Sequence, residues 1–257
     1  MQDISSCIIN KQDKIHLFEG TVQSDGQERT EFTNANDLTV LLLEFIKKTI
    51  DPDSWIFIGF LSQVQQSMLL ALLSILRKHD VQASMMLRHA LESSVIAAYA
   101  LNQHDHNNFG KINPQGLMDM NKKTMEKAYK WIDREFNDFS KKIKFFKDHI
   151  NSTNAHANFG QVFYNLDFST EDFFTSGLFD DNQDDKEHFF IMTMQQLWWI
   201  GNISFGFLRL FEQVIKKYPL VSLVDDFESR LSQYGINNNR IKEELSKHPR
   251  FSDVRPK

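Results

Sequence analysis

The segment 117–159 constrains the fold most, because it contains neither Gly nor Pro and its apolar residues are regularly spaced. Over 125–150 these residues lie four and three positions apart in alternation, which is the spacing of a heptad seam on a helix. The seam predicts one long helix of about 35 to 40 residues, in preference to two short helices that meet near Asn137. Its members are Met125, Tyr129, Ile132, Phe136, Phe139, Ile143, Phe146 and Ile150.

Helices are also predicted for most of the remaining chain. Only 10 Gly and 5 Pro occur in 257 residues, which argues against a turn-rich sandwich or barrel. Apolar runs bounded by capping or breaking residues predict helices over 38–50, 54–79, 80–102 and 185–218. Two shorter helices, 220–234 and 238–247, are expected on either side of Gly235. The expected fold class is therefore all-α, with residues 34–257 forming a single domain that is a bundle of long helices.

Two segments are not predicted to be long helices. Asp25-Gly26 lies between short extended runs, which is a hairpin signal, so residues 1–33 are expected to form an N-terminal arm or a small β-hairpin. Over 160–184, alternating apolar residues fit a short strand, while the polar run at 169–172 fits the start of a helical turn. Both alternatives stay open.

Charge and cysteine content exclude several classes of protein. The net charge is −5, so no overall basic field indicates nucleic-acid binding. The single cysteine, Cys7, cannot form an intramolecular disulfide or a thiolate metal site, and we expect no metal and no cofactor. The first residues lack the basic start and apolar core of a signal peptide, so a cytoplasmic location is expected.

Two uncharged stretches, 54–76 and 189–208, are long enough to cross a bilayer. Each carries amide side chains near its middle, and an unpaired amide in hydrocarbon is costly. Buried helices of a soluble protein, with no membrane partner, are therefore favoured for both.

Arg88 and Glu92 form the first candidate site. They lie one helical turn apart within an apolar stretch, so they can pair with each other. One interpretation is a structural ion pair, and the other is a cationic anchor for a phosphate or carboxylate that Glu92 holds in orientation. We expect the donors of Arg88 that Glu92 does not take to contact the polar patch 151–156, directly or through one water.

That patch is the second candidate site, and it lies where the seam helix is expected to end. His149 and His156 are two helical turns apart, and Asn151 and Ser152 are poor residues for a helix interior. The patch is read either as a polar helix terminus or as a binding site. A third candidate, His104-Asp105-His106, is read as a surface loop in preference to a weak metal site.

Basic residues are concentrated over 111–147, where ten stand against five acidic residues. Such a stripe can face RNA, but we favour a solvent-exposed face whose positive charge is balanced by the acidic segment 167–187 packed across it. The stripe comprises Lys122, Lys123, Lys127, Lys130, Arg134, Lys141, Lys142, Lys144 and Lys147.

Over about 55–159 the chain resembles uncharacterised bacterial helical-bundle proteins related to the HEPN superfamily. The resemblance is carried by Leu87-Arg88-His89-Ala90-Leu91-Glu92 and by the later polar patch that contains His156. HEPN ribonucleases place an Arg shortly before the His on one helix, whereas Asn151 stands there in this chain. The resemblance implies acid–base work by His156 and stabilisation of phosphorane charge by Arg88, with Glu92 beside it.

Two functions are compatible with these residues. The first is a binding module for an anionic ligand or a partner macromolecule, RNA included, through Arg88, Glu92, His149, Asn151, Ser152 and His156. The alternative is a HEPN-like ribonuclease that works without a metal through His156 and Arg88. Assembly into a homo-oligomer is compatible with both.

Overall fold

The structure is a computed structural model, and it describes residues 27–49, 54–77, 79–103, 105–116, 118–153, 166–167, 175–176 and 186–247. Most of these residues are helical, so the all-α prediction is confirmed. The helices are α1 (Gln27–Glu44), α2 (Trp55–Leu76), α3 (Asp80–Asn102), α4 (Thr124–Glu135), α5 (Asn137–Thr153), α6 (Lys186–Lys217) and α7 (Phe227–Ser246). The predicted positions of α2, α3 and α6 are correct to within three residues, because long apolar runs identify them.

Small antiparallel strand pairs join the helices. Strands β1 (Ile46–Thr49) and β6 (Val221–Leu223) pair with Ile46 opposite Leu223, and β2 (Gly110–Ile112) pairs with β3 (Met118–Met120). Strands β4 (Leu166–Asp167) and β5 (Thr175–Ser176) form a third pair, so the strand alternative applies at Leu166–Asp167, which lie in the alternating run. The hairpin predicted at Asp25-Gly26 lies outside the described residues.

The core lies where α2 and α3 pack along each other and where α6 packs on α1. Phe211 of α6 stacks on Phe45 at 5.9 Å between ring centroids and meets Phe57 of α2 edge-on at 5.8 Å. All three rings are fully buried, and each contributes about 1.5–3 kcal/mol by leaving water.

The prediction of a single helix over 117–159 is wrong, because the chain breaks between α4 and α5. Phe136 has φ −141° and ψ 54°, and its ring turns back to meet Trp131 edge-on at 5.3 Å. The Asn137 side chain donates to the Asp133 carbonyl at 3.2 Å, and Lys144 holds the Asp133 carboxylate at 2.8 Å. The break lets both helices pack on α3, and the seam residues still contact the core.

Other boundaries also differ from the predictions. Helix α1 begins at Gln27 and ends at Glu44, so residues 27–33 belong to the bundle and the chain continues as β1. The two helices expected on either side of Gly235 are one helix, α7. A Cβ at Gly235 would lie 3.1 Å from the Phe205 ring, so this glycine allows α6 and α7 to approach closely and does not end a helix.

Among the described residues, one stretch at Trp55–Ile75 is long and apolar enough to cross a membrane by length and composition. Core helices of soluble proteins meet the same criterion, and α2 packs along α3 over its length. The expectation of a cytoplasmic location stays a prediction.

Candidate functional site

Arg88 and Glu92 form the ion pair expected from their spacing, with Arg88 Nε 3.5 Å from Glu92 Oε1. About 32% of the Arg88 side chain and 29% of the Glu92 side chain are exposed, so the pair lies at the edge of the bundle. Water can therefore reach the guanidinium donors that Glu92 does not take.

Lys147 of α5 is a third member of this group, which the sequence did not reveal. Its Nζ lies 3.0 Å from Glu92 Oε1, donates to the Tyr129 hydroxyl at 3.4 Å and stands 5.1 Å from the centroid of the Tyr129 ring. Two cations therefore share one carboxylate, and the group has a net charge of +1. In the sequence, Lys147 belongs to the basic stripe and directly follows the seam residue Phe146, and neither feature indicates a pairing with Glu92.

Lys147 and Tyr129 keep their protons at neutral pH, so neither is suited to proton transfer. Burial disfavours the charge on Lys147, but Glu92 and Tyr129 outweigh that effect, and the pKa of Lys147 is raised above its ordinary value. Burial also raises the pKa of Tyr129, which keeps its hydroxyl protonated at neutral pH. The group is thus a brace between α3, α4 and α5.

His149 packs against an aromatic side chain of α6. Its ring stacks on Trp199 with centroids 4.4 Å apart and planes 8° apart, beside Phe146, which meets the same indole edge-on at 5.0 Å. Burial lowers the pKa of His149, so the imidazole is neutral at pH 7. A neutral stacked ring joins α5 to α6 and offers no cationic anchor.

The rest of the predicted patch is only partly described. Asn151 Oδ1 is buried and accepts no hydrogen bond, so Arg88 does not donate to it. His156 and the side chain of Ser152 lie outside the described residues, as does the convergence of Arg88 with His156 on which the ribonuclease alternative depends.

The predicted loop at 104–106 resembles a turn more than a metal site. Asp105 Oδ1 accepts the backbone N–H of Asn107 at 2.9 Å and its side-chain amide at 2.8 Å, and these bonds lower the pKa of Asp105. Within the part of the chain that the structure describes, no three His, Cys, Asp or Glu side chains are grouped to hold a metal. His104 is outside that part.

The basic stripe is partly neutralised by acidic residues of the same two helices. Glu126 pairs with Lys130 at 2.6 Å, and Asp133 pairs with Lys144 at 2.8 Å. Glu135 accepts from Arg134 at 2.8 Å. Local pairing of this kind weakens the field that an RNA-facing stripe needs.

A cavity of about 250 Å³ lies between α5, α6 and α7, with one wall residue, Leu91, from α3. No sequence argument anticipated it. Its lining is dominated by aromatic side chains from two helices, Phe139, Phe145, Phe146, Trp198, Phe205 and Phe207. Such an apolar lining favours an apolar ligand body.

A few polar groups also line the cavity, and none of the described lining residues is acidic. Lys142 Nζ lies 5.6 Å from the centroid of Phe139, and Lys242 Nζ lies 5.9 Å from the ring centre of Trp198. Asn202 and Asn239 complete the polar set, and Asn202 Nδ2 donates to the Trp198 carbonyl at 2.8 Å. Lys142 therefore places a positive charge beside the cavity, which favours an anion.

Gly206 lines the cavity in the middle of α6. A Cβ built there meets no atom within 4 Å, whereas a Cβ at Gly201 of the same helix would lie 3.0 Å from Asn238 Oδ1. Close packing thus explains Gly201 and does not explain Gly206. Since a glycine inside a helix costs about 0.8–1.0 kcal/mol relative to alanine, the missing side chain at 206 keeps space open at a cost in stability.

The predicted site and the cavity are neighbours but not the same place. Among the described residues, Arg88, Glu92, His149 and Asn151 do not line the cavity. Glu92 follows the lining residue Leu91, and Lys147 follows the lining residue Phe146. The ion-paired group therefore braces the two helices that form part of the cavity wall.

Comparison with known proteins finds no significant match to a family model, a curated protein or a solved structure. The resemblance to the HEPN superfamily accordingly stays a prediction.

Proposed function

We propose that this protein is a binding module for a small anionic ligand with an apolar body, and that the cavity between α5, α6 and α7 receives it. The observation that carries the proposal is the aromatic lining of this cavity beside the ammonium group of Lys142. Aromatic walls favour transfer of an apolar body from water, and the Lys142 ammonium favours a negative charge.

The open space at Gly206 supports the same function. A chain selected only for stability gains from a side chain that fills a cavity, and Gly206 forgoes both that packing and helix propensity. The Arg88, Glu92 and Lys147 group serves this function indirectly, since it holds α3 against α5 beside the wall residues Leu91 and Phe146.

Calorimetric titration with sodium benzoate and sodium octanoate tests the proposal, because the two acids differ in shape and share a carboxylate. We expect at least one of them to bind with a dissociation constant below about 1 mM, equivalent to about −4 kcal/mol. Gly206→Leu fills the cavity from a position with open space around it, so this variant should fold and lose binding.

Gly59→Leu is the matched control. Gly59 is an exposed glycine of α2, its Cβ position also meets no atom within 4 Å, and it does not line the cavity. Binding should be unchanged in this variant. If neither acid binds, or if Gly206→Leu binds as tightly as the natural sequence, the proposed function is wrong.

A further inference from the structure

The cavity also indicates the chemical class of its ligand. Resting on the proposed function, we infer that the ligand is a flat aromatic ring system of about two fused rings with a single acidic group. Its rings lie against the backbone of α6 at Gly206, and its acidic group faces Lys142.

The size of the cavity sets the size of the ring system. An apolar cavity of about 150 Å³ holds a single benzene ring. The cavity here has about 250 Å³, so it has room for more than one ring. Two fused rings fit this volume.

The surrounding side chains favour a flat ring over a flexible chain. Phe145 and Phe146 meet each other edge-on at 5.7 Å, and both are fixed by contacts with Trp199. Aromatic walls held in this way offer edge-to-face and offset-stacked contacts, which an alkyl chain cannot form. At Gly206 no side chain separates the ligand from the helix backbone, so a planar surface can lie close to it.

Lys142 is the cation best placed for the acidic group. Its ammonium stands over the ring of Phe139, which itself lines the cavity, and it makes no ion pair with a described residue. Lys144 and Lys147 of the same helix are instead held by Asp133 and Glu92. One ammonium that no described carboxylate neutralises matches one acidic group on the ligand.

The test compares 2-naphthoate with two other probes, of which one lacks its charge and the other lacks its rings. Sodium 2-naphthoate has two rings and an acid, 2-naphthamide has the same rings without charge, and sodium octanoate has the acid on a flexible chain. By calorimetry we expect 2-naphthoate to bind at least tenfold more tightly than either of the other two.

Lys142→Met and Gly206→Leu locate the contacts, and Lys141→Met is the control. Lys142→Met should reduce 2-naphthoate binding to the level of 2-naphthamide and leave 2-naphthamide binding unchanged. Lys141→Met changes an exposed lysine of α5 that does not line the cavity, so it should change nothing. Gly206→Leu should abolish binding of both ring probes, and circular dichroism verifies that each variant is folded.

The outcomes separate this inference from the proposed function. If octanoate binds as tightly as 2-naphthoate and Gly206→Leu abolishes both, the cavity binds anions and the ring class is wrong. If folded Lys142→Met keeps the preference for 2-naphthoate over 2-naphthamide, the assignment of the acidic group is wrong. If no anionic probe binds, or if Gly206→Leu has no effect, the proposed function fails and this inference fails with it.

Discussion

At the scale of single residues, Glu92 is the centre of the ion-paired group, and Arg88 is a peripheral member. From the sequence, we expected the Arg88 donors that Glu92 does not take to contact the polar patch 151–156. The structure places Glu92 between two cations and leaves about a third of the Arg88 side chain exposed. Lys147, the closer partner at 3.0 Å, could not be assigned from sequence, because the pairing depends on how α3 and α5 are oriented.

We therefore expect Glu92→Gln to be more destabilising than Arg88→Met. Loss of the carboxylate leaves two partly buried cations without their partner, which lowers the free energy of unfolding by about 1–2 kcal/mol. Arg88→Met lowers it by less than about 1 kcal/mol. Urea unfolding measures both values. Arg88→Met should also bind 2-naphthoate normally, because Arg88 does not line the cavity. A larger loss of stability in Arg88→Met than in Glu92→Gln contradicts this account.

We expect His149 to make the free energy of unfolding depend on pH. Burial lowers its pKa in the folded protein, so the folded state binds this proton less readily than the unfolded state. The stabilising contribution is complete above the unfolded pKa of about 6.5 and is lost as the pH falls below it. His149→Phe keeps an aromatic ring against Trp199 and removes the titration.

The measurement is the free energy of unfolding between pH 7.5 and 5 for the natural sequence and for His149→Phe. We expect the natural sequence to lose more stability over this range than the variant does. Equal pH slopes for the two proteins are incompatible with a buried neutral imidazole at this position.

At the scale of helices and strands, apolar runs and capping residues were enough to locate α2, α3 and α6. The seam over 125–150 correctly identified the residues that face the core, and it did not reveal the break at Phe136. Two helices that both pack on α3 can share the apolar spacing of one continuous helix. The spacing therefore does not show the break, which depends on local contacts of Asp133, Asn137 and Trp131.

Glycine positions show the same limit of sequence reasoning. Gly235 was read as a helix end, although it is a point of close approach inside α7, and Gly206 gave no signal at all. A glycine that allows two helices to approach closely and a glycine that leaves open space look alike in the sequence. Only the packing of the neighbouring helices distinguishes them.

Alanine substitutions should separate these two glycines. Gly206→Ala should stabilise the protein by about 0.5–1 kcal/mol, because the new Cβ meets no atom and the helix gains propensity. Gly235→Ala should destabilise it by about 1–3 kcal/mol, because the Phe205 ring must move. Urea unfolding of both variants checks the signs, and a destabilised Gly206→Ala shows that the space at 206 is not open.

At the scale of the whole molecule, the cavity arises from how α5, α6 and α7 meet. The sequence predicted a helical bundle that binds an anionic ligand or a partner macromolecule, and the described residues of its candidate site, in α3 and α5, do not line the cavity. Charged side chains are visible in a sequence as departures from an apolar pattern. An aromatic cavity is built from residues that look like ordinary core, so it becomes visible only when the helix faces are known.

A crystal structure of the protein with 4-iodobenzoate shows where an aromatic acid binds, because anomalous scattering locates the iodine without ambiguity. We expect iodine density inside the cavity, beside Trp198 and Gly206, with the carboxylate towards Lys142. Iodine density found only outside this cavity, with the cavity itself unoccupied, contradicts this expectation.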